Sequence, residues 1–277
     1  MTSGGAWRAE AVGHRRTEGE PPYERGPRPG EPLARRGGFA VHGAVGSVRA
    51  TDGGRTLWTR SFAGRPHAAH LSGGRVLVTT DSLEYTPWGH LGPALLLDLA
   101  DGRLVATLRG ATGAALGGGR FLLGLEGYDV FETVAYDRDG TETDRWASYG
   151  HYVVGTGVRV VEADRRTPTS NRVVRLLPGG VVTPGPKLSD SLPPEPVVLP
   201  DGTLLVLDGG AIHAVGRGLD RTVLAELRPH EDARAIRTLR RDGDRLVAVI
   251  AEPRAAGTAR WTVDTWTFRL TSRGAGS

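Results

Sequence analysis

A turn of glycine, or of aspartate and glycine, followed by a short β-rich apolar run, recurs six times along this chain. The instances are Gly37-Gly38-Phe39-Ala40-Val41, Gly73-Gly74-Arg75-Val76-Leu77-Val78, Gly118-Gly119-Arg120-Phe121-Leu122-Leu123, Gly155-Thr156-Gly157-Val158-Arg159-Val160-Val161, Asp201-Gly202-Thr203-Leu204-Leu205-Val206 and Asp242-Gly243-Asp244-Arg245-Leu246-Val247. With the last glycine, or Asp244, as marker, the units start at 38, 74, 119, 157, 202 and 244, at spacings of 36, 45, 38, 45 and 42. Such a period holds four strands and their turns, which is one blade of a β-propeller. Few other folds are open to a chain built this way.

Most units carry a second turn: Thr51-Asp52-Gly53-Gly54, Ala100-Asp101-Gly102, Arg138-Asp139-Gly140 and Pro178-Gly179-Gly180. Asp-Gly and Gly-Gly supply the positive φ of two-residue hairpins, so these turns join the third strand to the outermost one. Flanking segments such as Ala94–Leu99 and Trp261–Trp266 are strand-like, and helical periodicity is nearly absent. Ala233 to Arg241 alone fits a helical turn or two, and a strand fits it equally.

After marker 244 only 33 residues remain, enough for two long strands. Residues 6–12, Ala6-Trp7-Arg8-Ala9-Glu10-Ala11-Val12, alternate like a strand and precede a Pro-rich, charged stretch from Thr17 to Glu31. A propeller must join its first and last blades or leave sheet edges open. The expectation is therefore an all-β, six-bladed β-propeller of four-stranded antiparallel blades, its N-terminal strand closing the last blade. In domain terms, residues 1–37 are the closing strand and linker and 38–277 the propeller.

Arg49-Ala50-Thr51-Asp52-Gly53-Gly54-Arg55-Thr56-Leu57-Trp58 resembles the Ala-x-Asp-x-x-x-Gly-x-x-x-Trp docking motif of PQQ-like, quinoprotein dehydrogenase-type propeller repeats, with Gly54 displaced towards Asp52. The resemblance implies that Trp58 caps the outer strand and stacks on the backbone of the neighbouring blade, while Asp-Gly makes the turn. Leu97–Leu104 repeats the turn with Ala106 in the tryptophan's place, and Ala135–Gly140 is followed by Trp146, two residues late. The resemblance is one of fold. The quinoproteins have eight blades and about twice this length, and several stack the quinone beside a disulfide, so quinone binding is not expected of a chain with no cysteine. No Trp-Asp dipeptide supports a WD-repeat, and the metal set of gluconolactonase-type propellers cannot be carried over, because the one asparagine, Asn171, falls where a hairpin loop should be.

Composition excludes several classes. No run of apolar residues exceeds the six from Leu246 to Ala251, too short for a membrane helix, and the first thirty residues hold no apolar core of a secretory signal. With no thiol there is no disulfide framework, and the expected location is the cytoplasm. Lys187 is the sole lysine among 35 basic residues, a skew that fits a bacterium with a G+C-rich genome. The net charge of +4 is interspersed: Arg234, Arg237, Arg240, Arg241 and Arg245 are offset by Glu231, Asp232, Asp242 and Asp244. Nucleic-acid binding needs a clustered basic face, and none is present.

Recognisable catalytic constellations are absent. There is no Gly-x-Ser-x-Gly, and Gly117-Gly118-Gly119 leads into a strand where a phosphate cradle would need a helix. His67 and His70 are three apart, which strand alternation places on opposite faces. The second strands of the units run into His42, Asp81, Glu126, Glu162, Asp208 and Glu252. Acids end strands because turns solvate them; aligned blades would also gather these residues around a channel mouth, suited to a divalent cation, an amine or a basic peptide. Arg254 and Arg165 are internal competitors for that charge. The longest loop, Thr80 to Pro93, adds Tyr85, Trp88 and His90, and the next adds Tyr128, so a ligand floor or docking knob belongs there.

The reading is a non-catalytic interaction or ligand-binding module. It uses no cofactor, and its binding face lies at the loops after each second strand. Its partner is a protein or a small cationic ligand. A lyase, isomerase or hydrolase of secondary metabolism working through the carboxylates is the competing reading, and a structural part of a larger assembly is the third.

Overall fold

Glycine pairs at positive φ turn the chain between strands wherever the repeat places them. Gly73 and Gly74 take φ of 46° and 79°, a region that side chains with a Cβ rarely adopt. Space adds a second demand at Gly73, where a Cβ would lie 2.3 Å from the Gly119 nitrogen of the next repeat's turn. The computed structural model describes residues 7–19, 31–87, 89–127, 130–148, 150–154, 159–163, 171–189, 194–228, 235–254 and 260–272. Every regular element among them is a strand.

The first strand is β1 (Trp7–Gly19). Then come β2 (Ala34–Arg36), β3 (Phe39–Ala44), β4 (Ser47–Asp52) and β5 (Arg55–Ser61), a sheet in that order. The second repeat gives β6 (Arg65–Ser72), β7 (Arg75–Thr86), β8 (Gly89–Leu91), β9 (Pro93–Asp98) and β10 (Leu104–Arg109), ordered β10-β9-β7-β6 with β8 on β7. The third is β11 (Thr112–Gly117), β12 (Arg120–Gly127), β13 (Val130–Tyr136) and β14 (Glu142–Trp146). The fourth is β15 (Gly150–Val154), β16 (Arg159–Ala163), β17 (Asn171–Leu177) and β18 (Val181–Leu188). The fifth is β19 (Val197–Val198), β20 (Leu204–Asp208), β21 (Ala211–Val215) and β22 (Arg221–Glu226). Last are β23 (Ile236–Asp242), β24 (Arg245–Pro253) and β25 (Trp261–Ser272), in a sheet ordered β1-β25-β24-β23.

Among the described residues, each marker thus precedes the second strand of its sheet, and each second turn joins the third strand to the outermost. The segment left open between helix and strand is a strand, β23. The N-terminal strand is longer than residues 6–12: β1 pairs antiparallel with β25 from Trp7↔Ser272 to Gly19↔Trp261, past a bulge between Ala11 and Gly13. Ala34–Arg36, read as linker, is instead the first strand of the first sheet.

Two compact units divide the chain: Met1–Tyr23, Ala163–Val173 and Pro184–Ser277 form one, Glu24–Glu162 and Val174–Thr183 the other. Within each, apolar cores lie between consecutive sheets. Val41, Val48, Ala50 and Trp58 pack on Ala69, Val76, Val78 and Leu95 between the first two sheets. Leu205, Leu207, Ile212 and Ala214 pack on Leu246, Ala248, Phe268 and Leu270 between the last two. Trp58 is buried; its Nε1 donates to the Leu99 carbonyl (2.9 Å), and its ring lies so close to Gly102 that a Cβ there would stand 2.5 Å from it. Trp146 donates likewise to the Leu177 carbonyl at 2.6 Å. Where the second repeat has Ala106 for tryptophan, Gly140 fills the same relation, its notional Cβ 2.5 Å from the Ala106 methyl.

Candidate functional site

All six residues singled out after the second strands lie on second strands: His42 on β3, Asp81 on β7, Glu126 on β12, Glu162 on β16, Asp208 on β20 and Glu252 on β24. His42, Asp81, Glu126 and Glu162 belong to one unit, Asp208 and Glu252 to the other. Their environments differ from one another.

Asp208 is fully buried where a strand end next to a turn should be solvated. Its carboxylate accepts from the Ser189 backbone N–H (2.8 Å) and hydroxyl (3.0 Å), and pairs with Arg221 at 2.9 Å. Arg221 also reaches the Lys187 carbonyl at 2.9 Å and His213 Nε2 at 2.6 Å. His213 Nε2 also lies 3.2 Å from the Asp208 carbonyl. Asp208 therefore ties the outer strand β22 to the second strand β20.

Glu252 is paired as well. Arg228, following β22, donates to Glu252 at 2.6 Å and to the fully buried Asp264 at 2.9 Å. Burial opposes the charge of Arg228, but Glu252 and Asp264 outweigh it and raise its pKa. On the other side of Asp264, His14 of β1 approaches at 2.9 Å and Arg16 at 3.8 Å, and the His14 ring stacks on Trp266 with centroids 4.8 Å apart. In this unit the acids are held by arginines from within the chain, as the rule for buried charge requires. Sequence reasoning passed over Asp264, although its position was a signal: it lies in alternate register with Trp266, Phe268 and Leu270, a carboxylate on the apolar face of a strand.

In the other unit, Asp81 lies 3.2 Å from His67 Nδ1, and Glu126 is exposed at the end of β12. His42 is drawn below its ordinary pKa by burial, then by Arg49 and Arg35. The placement of His67 and His70 on opposite faces is corrected. A bulge between Pro66 and Ala68 shifts the alternation, and both side chains point to β11: His67 Nε2 lies 3.1 Å from the Ala111 carbonyl, and the His70 ring abuts Gly113. Asn171, assigned to a loop, is the first residue of β17 and is buried.

Burial, and secondarily His67, push the pKa of His70 down to about 4 from 6.5. The unfolded chain then takes up the proton more readily than the folded one. The stability this group contributes is complete above pH 6.5 and is lost as pH falls towards 4, by about 3 kcal/mol in total. Urea unfolding of wild type and His70→Leu across that window should show a flatter acid limb for the variant. Parallel limbs would remove His70 as the cause.

β7 does not stop at Asp81. It continues to Thr86 and pairs with β8 through Asp81↔Leu91 and Thr86↔Gly89, making a hairpin beyond the body of its sheet. Its Leu83 and Tyr85 are 57% and 76% exposed, and His90 meets the Tyr85 ring edge-on at 5.4 Å. Backbone stiffness comes from Ser82, whose hydroxyl accepts from the Glu84 N–H and whose carbonyl lies 3.3 Å from His90 Nδ1. Trp88 and Tyr128, assigned to the same loops, lie outside the described residues, as does the side chain of Glu162. At the base of the hairpin is a shallow cleft of about 680 Å³.

Among the described residues, no group of three or more His, Asp or Glu is placed to hold a metal ion, and no helix is long and apolar enough to cross a membrane.

No family model matches the chain, and no curated protein matches it. Solved structures do. Hsv2 from Kluyveromyces marxianus is 12% identical over 83% of this chain and 80% of its own, with a TM-score of 0.50. BamB from Moraxella catarrhalis is 18% identical over 84% and 82%, TM-score 0.43. A putative oxidoreductase (glucose dehydrogenase) from Thermus thermophilus is 14% identical over 94% and 100%, TM-score 0.48. The likeness is one of fold: antiparallel four-stranded sheets of the β-propeller kind.

Proposed function

We propose that this chain is a six-bladed β-propeller that works as a non-catalytic cytoplasmic interaction module, and that the hairpin Asp81–Leu91 is where it meets a protein partner. Six sheets at the six repeat positions support the blade count. The observation that carries the contact surface is the extension of β7 past its sheet with Leu83 and Tyr85 turned to solvent. Apolar and aromatic side chains held out on a braced hairpin leave water at a gain when a partner covers them, and tyrosine is a frequent anchor at interfaces. Asp208 and Glu252, by contrast, are engaged by Arg221 and Arg228, which argues against a cation held by the acids of that unit.

The test places a photo-crosslinking residue at position 85 in living cells and compares it with the same protein carrying Leu83→Glu. Both positions are exposed, so the substitution should leave stability within about 0.5 kcal/mol. A discrete crosslinked protein that disappears in the Leu83→Glu background, with an unchanged melting temperature, is the expected result. A crosslinking pattern that ignores the substitution, or yields only scattered background, removes the hairpin as the contact.

A further inference from the structure

The cleft at the base of the hairpin has the chemistry of a small-molecule site. It is open to solvent, with about 680 Å³ of space. Two stretches of one sheet and the end of β13 build it. Leu91 and Pro93, on the return of the hairpin, line it together with Leu108 of β10 and Tyr136. Thr86 and Thr107 also line it, and among the described residues of the lining Arg109 is the charged one. Arg109 pairs with Pro93 of the adjacent strand, so the two lie side by side on one face of the sheet.

We propose that this cleft binds a small amphipathic monocarboxylate, its carboxylate on Arg109 and its aryl or medium-chain alkyl body against Leu91 and Pro93. Charge selects the head group. One guanidinium balances one negative charge and matches the planar carboxylate fork, whereas a phosphate dianion would bring a second charge to a lining with no second cation among the described residues. A guanidinium has five N–H donors, so engaging a ligand does not require Arg109 to be without its interaction inside the protein. Leu91 and Pro93 disfavour a fully polar acid, which would gain nothing from them.

This inference goes beyond the partner-docking reading and does not depend on it, because Leu83 and Tyr85 are not part of the lining. The probes are octanoate, octan-1-ol and octylamine, titrated calorimetrically into the full chain, with ring resonances of the tyrosines followed by NMR. Octanoate should bind, shift the Tyr136 ring signals and raise the melting temperature, while octylamine should not. Arg109→Met should weaken octanoate at least tenfold, and Arg103→Met, on the exposed turn before β10, should leave it unchanged. If Arg109→Met lowers the melting temperature of the unliganded protein, Arg109→Lys takes its place and should retain part of the affinity. Equal affinity for octan-1-ol, full octanoate affinity in the Arg109 variants, shifts confined to other tyrosines, or no heat from any probe each overturns the proposal.

Discussion

Trp58→Ala lowers the free energy of unfolding by about 3–5 kcal/mol, the range for emptying a packed aromatic site. The size follows from what the ring touches. It is 8% exposed and packs into the cluster of Val41, Val48, Ala50, Val76 and Leu97 that joins the first two sheets. Its Nε1 donates to Leu99, and Gly102 gives it a seat that no residue with a Cβ could offer. Little relaxation is open to the site, because the far wall is backbone held by the Gly102 N–H donating to the Asp98 carbonyl at 3.0 Å. Trp58→Phe separates the two parts: it keeps most of the buried area and loses the hydrogen bond, worth about 1 kcal/mol. Urea midpoints at constant slope measure both. A Trp58→Ala protein that unfolds within 1 kcal/mol of wild type, on the order of one ordinary substitution, would reduce the docking motif to a generic strand end.

The repeat was readable because its constraint is local. Gly73 and Gly74 are demanded by backbone conformation, and glycine shows itself in a sequence wherever it falls. The apolar run Leu246–Ala251 was readable for a similar reason, since β24 is buried on both faces, with Leu246 and Ala248 in one core and Val249 and Ala251 in another. What escaped are the features whose cause lies elsewhere in the chain. The bulge at Pro66–Ala68 leaves no mark in the alternation, so the two histidines were placed on opposite faces when both point to β11. The acid at Asp81 resembled a strand end, but whether β7 stops there depends on β8, ten residues on, offering it a partner. The acids had the same difficulty. Asp208 finds Arg221 at a distance of 13 residues and Glu252 finds Arg228 at 24, separations that no motif records. Carboxylates can be counted from a sequence, but their partners come from the fold.

Removing residues 1–19 should destabilise the protein by more than any single substitution, several kcal/mol, and make it self-associate. β1 is the outer strand of its sheet, paired with β25 along its whole length, and its loss bares the edge of a 12-residue strand, Trp261–Ser272. Trp7 and Ala9 would leave the cluster of Leu205, Leu246 and Phe268, and Asp201 would lose the Trp7 N–H that it accepts at 2.8 Å. Electrostatics adds to the loss. Asp264, without exposure in the intact protein, would keep Arg228 but forfeit His14 and Arg16. Those two contributions separate experimentally. His14→Ala with Arg16→Ala keeps the strand and weakens only its hold on Asp264, so its loss should be a fraction of that of the deletion, because Arg228 continues to neutralise the carboxylate. Supplying a peptide of residues 7–19 in trans should restore the melting temperature of the shortened chain and return it to the wild-type oligomeric state. Recovery by the peptide would identify strand pairing as the cause, since a protein misfolded for another reason gains nothing from it. A shortened chain that melts at the wild-type temperature and does not associate would mean that the sheet of β23, β24 and β25 is sufficient by itself, and that β1 is an ornament on its edge.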